Sequence, residues 1–315
     1  MLNNNGNLFR FSGLLIQLQP YLQRHKPSVI VISGPSGVGK DAVIKRLREE
    51  ADVKGRAFIN VHTHLETHHR KTSQKGNLRG SFHNQQIRDI LRHGENHPVL
   101  QKLGIEILTN LALEEEATER IGGAGGVLKE FFNIFLKQGL PEHQNHVRRA
   151  AGEALAMLSL ESRANCHRIL RLQVLEKLVA ALEVPLLRVN AARILRHLCT
   201  YSGSDCFYGL KGVIEAAPTV LKAIMSKENK LQEVMVGLAA QVFKRMTSTE
   251  SSIMFERAGM KEDELARALV RILDKYKHPW AKIPRIRQFA VELAIWMMHE
   301  NVKNVYILKD LGMEK

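Results

Sequence analysis

The sequence predicts a mainly α protein, a helical-repeat solenoid preceded by a short, incomplete β-α segment. Three observations predict it. From His97 onward one helix type recurs, and aligning Leu108, Leu155, Leu195, Phe243 and Ile295 gives spacings of 47, 40, 48 and 52 residues, the period of two- and three-helix repeat modules. A β-branched run, Ser28 to Ser33, leads directly into a glycine-rich loop and then a helical stretch. With 315 residues, 44% hydrophobic and 25% charged, the chain can bury a sizeable core, and wholesale disorder is excluded.

Residues 1–27 read as an N-terminal extension. The first acidic residue is Asp41, preceded by Arg10, Arg24, Lys26 and Lys40. An acid-poor, arginine-bearing start suits an organellar transit peptide. The alternative is a short surface helix, with its apolar stretch Phe9 to Leu15, broken near Pro20.

Residues 28–50 carry the most recognisable chemistry. The run Ser28-Val-Ile-Val-Ile-Ser33 has the pattern of a buried parallel strand. Gly34, Pro35, Ser36, Gly37, Val38, Gly39 and Lys40 follow, and Asp41 to Glu50 reads as an amphipathic helix. Strand, loop and helix in that order are the context of a phosphate-binding loop. Gly34 and Gly39 allow the tight turn that aims backbone N–H groups at phosphate oxygens, and Lys40 would reach the outer phosphates. Asp41 stands where such loops place a Ser or Thr hydroxyl on Mg²⁺. A carboxylate can ligate that ion, but it also brings negative charge toward the phosphates.

The stretch Val29 to Arg48, VIVISGPSGVGKDAVIKRLR, resembles the start of guanylate kinases, the plant organellar ones in particular. The resemblance implies ATP and Mg²⁺ at residues 34–41, and covers roughly the first 50 residues. It also implies a GMP site downstream with a Thr-Thr-Arg run, further arginines, a Gly-Glu pair and a tyrosine. Val61 to Lys71 reads VHTHLETHHRK instead, Gly-Glu occurs first at Gly94-Glu95, and no tyrosine lies between Tyr21 and Tyr201. Two strand candidates, Val29–Ser33 and Ala57–Val61, are fewer than an independent sheet needs. The expected outcome is a phosphate cradle without a kinase acceptor site.

Residues 51–96 read as a basic, histidine-rich linker, with eight Lys or Arg against four Asp or Glu. His62, His64, His68 and His69 cluster there, and His64 and His68 would share a helix face. No Cys or carboxylate partner completes a metal set, so no metal is expected. Cys166, Cys199 and Cys206 show no CxxC spacing and read as reduced, mostly buried thiols of an intracellular, cytoplasmic protein. An organellar address, chloroplast or mitochondrion, is the alternative.

Residues 97–315 form the repeat domain. The recurring helix reads Leu103–Ala112, Ala151–Ser159, Ala191–Cys199, Leu238–Met246 and Phe289–Met298. Gly104, Gly152, Ala191, Ala239 and Ala290 are small, which permits close helix approach, while leucines and isoleucines three and four apart fill a shared core. A second helix type is expected at Val127–Leu136, Ile169–Leu182, Val213–Met225 and Leu265–Leu273. Insertions are expected at Tyr201–Gly209 and His278–Pro284.

The first copy, ILTNLALEEEATERIGGAGGVLKEFFNIFL, resembles an armadillo repeat, and the resemblance spans about residues 97–300. It implies an armadillo/HEAT-like α-solenoid whose inner groove binds extended peptides or partner surfaces. Importin-like members clamp the peptide backbone with a repeated Asn, one turn after a Trp. The Asn position here is Asn110, Met157, His197, Arg245 and Met297, and the Trp position is Glu106, Glu153, Arg193, Gln241 and Leu293. Trp296 lies one residue away and reads as core. The pattern argues against reading nuclear signals.

The sequence therefore predicts a non-enzymatic scaffold that binds a protein partner, without a catalytic site or membrane span. The alternative is an ATP-binding, guanylate kinase-like protein. The net charge of +14 leaves nucleic acid as a third, less favoured partner, because the excess is spread rather than blocked.

Overall fold

The computed structural model describes residues 7–11, 14–18, 28–33, 57–61, 91, 98–113, 115–139, 141–203, 206, 208–277 and 283–312. The chain divides into two compact units, Met1–Phe131 and Phe132–Lys315.

The first unit contains a four-stranded sheet in sequence order: β1 (Asn7–Phe11), β2 (Leu14–Leu18), β3 (Ser28–Ser33) and β4 (Ala57–Val61). β1 and β2 pair antiparallel with Phe11 opposite Leu14, and β2 pairs antiparallel with β3. β3 and β4 run parallel, Ile30 opposite Ile59. The two expected strands are thus present, but the N-terminal surface helix is not: Phe9 to Leu15 spans a strand pair. Its sequence carries Ser12-Gly13 between two apolar runs, a two-residue hairpin signal. Two extra strands also remove the objection that the sheet is too small. Helices α1 (Pro98–Leu111) and α2 (Glu115–Gly123) follow.

Helix α3 (Val127–Phe135) leads into the second unit, where the repeat becomes legible as three helices. These are α4 (Asn145–Ser159), α5 (Arg163–Arg171), α6 (Leu175–Ala180), α7 (Arg188–Tyr201), α8 (Ala217–Ile224), α9 (Asn229–Phe243), α10 (Ser248–Ala258), α11 (Glu262–Lys275), α12 (Ile286–Glu300) and α13 (Val302–Asp310). All five copies of the recurring helix appear, as α1, α4, α7, α9 and α12. Within the second unit they stack α4 on α7, α7 on α9 and α9 on α12. Each buries a stripe at helical spacing: Ala151, Leu155 and Leu158 in α4, Ala191, Leu195 and Leu198 in α7.

The second helix type differs from expectation at two places. Ile169–Leu182 is not one helix. It breaks after Arg171, with Gln173 at φ 54°, and resumes at Leu175. Val213–Met225 begins as a 3-10 stretch, Tyr208–Ala216, and becomes α-helical only at Ala217. Pro218 occupies the first turn of α8, where its missing N–H costs nothing. The short first helices, α2, α5, α10 and α13, went unpredicted because they are polar or mixed, as in STESSIMFERA. Caps hold α5, where Ser162 Oγ accepts from the Asn165 N–H at 3.3 Å, and α10, where Thr247 and Glu250 form a capping box.

The last copy also corrects the alignment. Leu108, Leu155, Leu195 and Phe243 are buried, but Ile295 is 56% exposed, whereas Leu293, Ala294 and Met297 are fully buried. A two-residue offset turns a helix by about 200°, so the long connection before α12 puts the core stripe on Phe289, Ala290, Leu293, Ala294 and Met297.

Candidate functional site

The recurring helices α4, α7, α9 and α12 form a ladder, and its outward rows hold the chemistry. Close stacking depends on two glycines. A Cβ at Gly152 in α4 would lie 2.6 Å from Phe135 Cε2 and 2.9 Å from Asn190 Nδ2. A Cβ at Gly237 in α9 would lie 2.7 Å from Phe289 Cδ2 and 3.1 Å from Arg196 Cδ. The distances to Phe135 and Phe289 are shorter than real Cβ contacts. At Gly237 the bare backbone lets Arg196, from α7, reach across α9. Its guanidinium lies 4.9 Å from the centre of the Phe289 ring on α12, a cation–π geometry.

Arg193 and Arg196 sit partly buried, and desolvation pushes both guanidinium pKa values down. Their hydrogen-bond partners are neutral. Arg193 donates to Asn190 Oδ1 at 3.5 Å and contacts Met157 Sδ at 3.9 Å, and Arg196 donates to His197 Nε2 at 2.8 Å. Arg285, at the start of α12, stands in the same field as Arg196 and His197. Its backbone N–H donates to Glu233 Oε1 at 2.9 Å.

His197 lies beneath these arginines, 1% exposed. Arginine has no lone pair to offer, so Nε2 accepts and Nδ1 carries the proton. Nδ1 faces Ser159 Oγ at 3.0 Å, and Ser159 donates to the Ala156 carbonyl at 3.1 Å. Desolvation, then Arg196 and Arg193, hold its pKa well below the usual imidazole value. The imidazole is neutral and structural, a brace for Arg196. Arg245 is also structural: it donates to the Cys199 carbonyl and, at 2.8 Å, to the Gln241 carbonyl, tying α9 to the end of α7.

The other anticipated groove positions divide. Asn110 and Glu153 are exposed, Met157 and Gln241 half-buried, and Met297 and Leu293 belong to the core. Glu106 forms an i,i+4 ion pair with Lys102 at 3.4 Å. Trp296 is half-buried, its ring 4.8 Å from that of Phe243. Arg196, Arg285 and Gly237 went unnoticed in the sequence; a glycine inside a strong helical pattern was the available signal.

Gly34, Pro35, Ser36, Gly37, Val38, Gly39, Lys40 and Asp41 lie outside the described residues, as do His62, His64, His68 and His69. The described part of that segment is β3, which ends at Ser33 immediately before the loop and pairs in parallel with β4. Among the described residues no cluster of His, Cys, Asp or Glu could hold a metal ion, and no helix is long and apolar enough to cross a membrane.

The fold that this ladder defines is that of armadillo-repeat proteins. A designed armadillo-repeat protein in complex with the peptide (KR)4 aligns at TM-score 0.52 and 16% identity, covering 72% of this chain and 87% of that one. Computationally designed armadillo repeat proteins for modular peptide recognition align at TM-score 0.53 and 16% identity, with the same coverage. An engineered protein aligns at TM-score 0.54 and 15% identity, over 72% and 85% of the chains. In the N-terminal part, the Rad17 P-loop domain family matches residues 16–115. Guanylate kinase 2, chloroplastic/mitochondrial, of Oryza sativa subsp. japonica is 52% identical over 40 residues, 13% of this chain and 14% of that relative. The chain thus combines an armadillo-type helical-repeat fold with an N-terminal segment similar to P-loop proteins.

Proposed function

We propose that the chain is a non-enzymatic scaffold whose α4–α7–α9–α12 ladder binds an extended segment of a partner protein. The observation that carries this reading is the ladder's outward row. It joins half-buried arginines, neutral acceptors and the exposed Val291 and Ile295 of α12 on one run of stacked helices. Solvated surface alone does not require arginines to sit desolvated against an aromatic ring. That designed armadillo proteins include one bound to a peptide supports the same use of the fold. Peptides selected for binding to the full chain should lose affinity to Ile295→Asp on the ladder and keep it with Arg267→Glu on the outer helix α11. Equal loss in both variants, or in neither, refutes the ladder as the binding face.

A second reading is favoured by the parallel β3–β4 pair, whose β3 ends at Ser33 just before Gly34 in sequence, and by the P-loop family match. In it the loop retains a nucleotide phosphate site for ATP with Mg²⁺, with Lys40 on the outer phosphates and Asp41 near the ion. Calorimetry of the full chain should show ATP binding that Lys40→Ala abolishes; the absence of binding by the unsubstituted chain rejects it.

A further inference from the structure

The arginines of the ladder define the chemistry of its ligand. Arg193, Arg196 and Arg285 share one electrostatic field, each adding to the burden on a neighbour: Arg196 is pushed by Arg285 and Arg193, and buried His197 by all three. Among the described residues no carboxylate lies within 4.0 Å of any of these guanidinium groups, although ion pairs form elsewhere, such as Arg257 with Glu215 at 2.9 Å. Three carboxylates share this field without reaching ion-pair distance: Glu153 and Glu233 act on Arg193, and Glu292 on Arg196. Glu233 also accepts the Arg285 backbone N–H, and Glu292 accepts from Gln288 Nε2 at 2.9 Å.

A guanidinium carries five N–H donors. Arg196 spends them on one imidazole nitrogen and on the face of Phe289, and Arg193 on one long amide contact and a thioether. Half-buried arginines ordinarily find carboxylates, because desolvating a charge without an opposite one is costly. Here the packing around Gly237 fixes Arg196 in place, and His197 braces it from below. The pre-set fork suits a planar, bidentate anion. On α12, Val291 and Ile295 stand one turn apart, 41% and 56% exposed, flanking Glu292. They are exposed apolar side chains on the helix that also carries Phe289.

We infer that the ladder takes an extended acidic segment of a partner protein, with a carboxylate side chain on Arg193, Arg196 and Arg285 and an apolar side chain on Val291 and Ile295. The inference rests on the ladder being the binding face and adds the class of ligand. It fits the failure of the Asn and Trp positions: a face built from arginines selects against basic segments.

The test uses the full chain and three fluorescent peptides of equal length, alternating leucine with glutamate, glutamine or lysine. A single-stranded oligonucleotide serves as a fourth probe. The glutamate peptide should bind most tightly. Arg196→Gln and Arg285→Gln should each weaken it about tenfold or more while leaving the glutamine peptide within twofold, which separates loss of the anion contact from any loss of stability where Arg196 packs on His197 and Phe289. Arg196→Lys, which keeps charge and loses the fork, should fall between. If the glutamine peptide binds as tightly as the glutamate one, and Arg196→Gln is silent while Ile295→Asp abolishes binding, the acidic ligand is wrong and the ladder reading stands. If no peptide binds through Ile295 at all, both fall. Binding of the oligonucleotide in preference to every peptide, lost in Arg196→Gln, assigns the arginines to phosphates instead.

Discussion

Helices α3, α4 and α7 meet closely at Gly152, which yields a signed prediction for Gly152→Ala. In an exposed helix the change gains about 1 kcal/mol of propensity. Here the new methyl would stand 2.6 and 2.8 Å from two atoms of the Phe135 ring and 2.9 Å from Asn190 Nδ2. Phe135 is fully buried and cannot swing into solvent. Relieving the overlap moves a packed ring, at about 1–3 kcal/mol. It also displaces the Asn190 amide, which donates to the Arg149 carbonyl at 3.3 Å, for about 1 kcal/mol more. The net loss is about 1–3 kcal/mol, or roughly 3–10 °C in midpoint for a domain of this size. Thermal unfolding followed by far-UV circular dichroism reads it. Gly212→Ala is the control, since its methyl meets only Leu175 Cδ2 at 3.5 Å and should be near neutral. Phe135→Leu in the Gly152→Ala background should recover part of the loss. A Gly152→Ala protein more stable than the parent refutes the close-approach account.

Other consequences follow from buried titratable groups and caps. His197 is neutral when folded and has a depressed pKa, so the unfolded chain binds the extra proton. Stability from this group is complete above about pH 6.5 and falls by about 1.4 kcal/mol per pH unit below it. His197→Asn, with the same donor and acceptor pattern, should flatten that acid limb, and an unchanged limb contradicts the assignment. Burial pushes the Cys166 thiol to about 12 and Cys199 to about 11, while Cys206 is only half-buried. One thiol should therefore react readily with a thiol reagent in the native protein and three after denaturation, and Cys206→Ser should remove the fast phase. Ser162→Ala, which deletes the α5 cap, should cost about 1 kcal/mol in a urea titration.

The parts of this molecule that were legible in its sequence are those where side-chain periodicity and burial coincide. Leucines and isoleucines three and four apart placed α1 and the four ladder helices, and the β-branched run placed β3. The small-residue rule found Gly152 and missed Gly237, because Ala239 two residues later fits the same pattern. The polar first helices escaped, since they are ordered by caps and neighbours rather than by an apolar stripe. The hairpin of β1 and β2 was hidden behind an apolar stretch that suited either periodicity. In α12 the stripe was recognised, but its phase depends on where the connection delivers the chain, which spacing alone does not encode. The arginine site was least visible: Arg193, Arg196 and Arg285 are separated by up to 92 positions in sequence, and only the stacking of α7, α9 and α12 brings them together.

The ladder binds as proposed only if its arginines meet the ligand. Arginine-specific modification of the full chain, with and without a saturating acidic peptide and read residue by residue by mass spectrometry, measures this. Protection of Arg193, Arg196 and Arg285, with Arg257 and Arg267 on the outer helices unchanged, is the predicted result. Protection confined to the outer helices, with the ladder arginines still reactive, contradicts it.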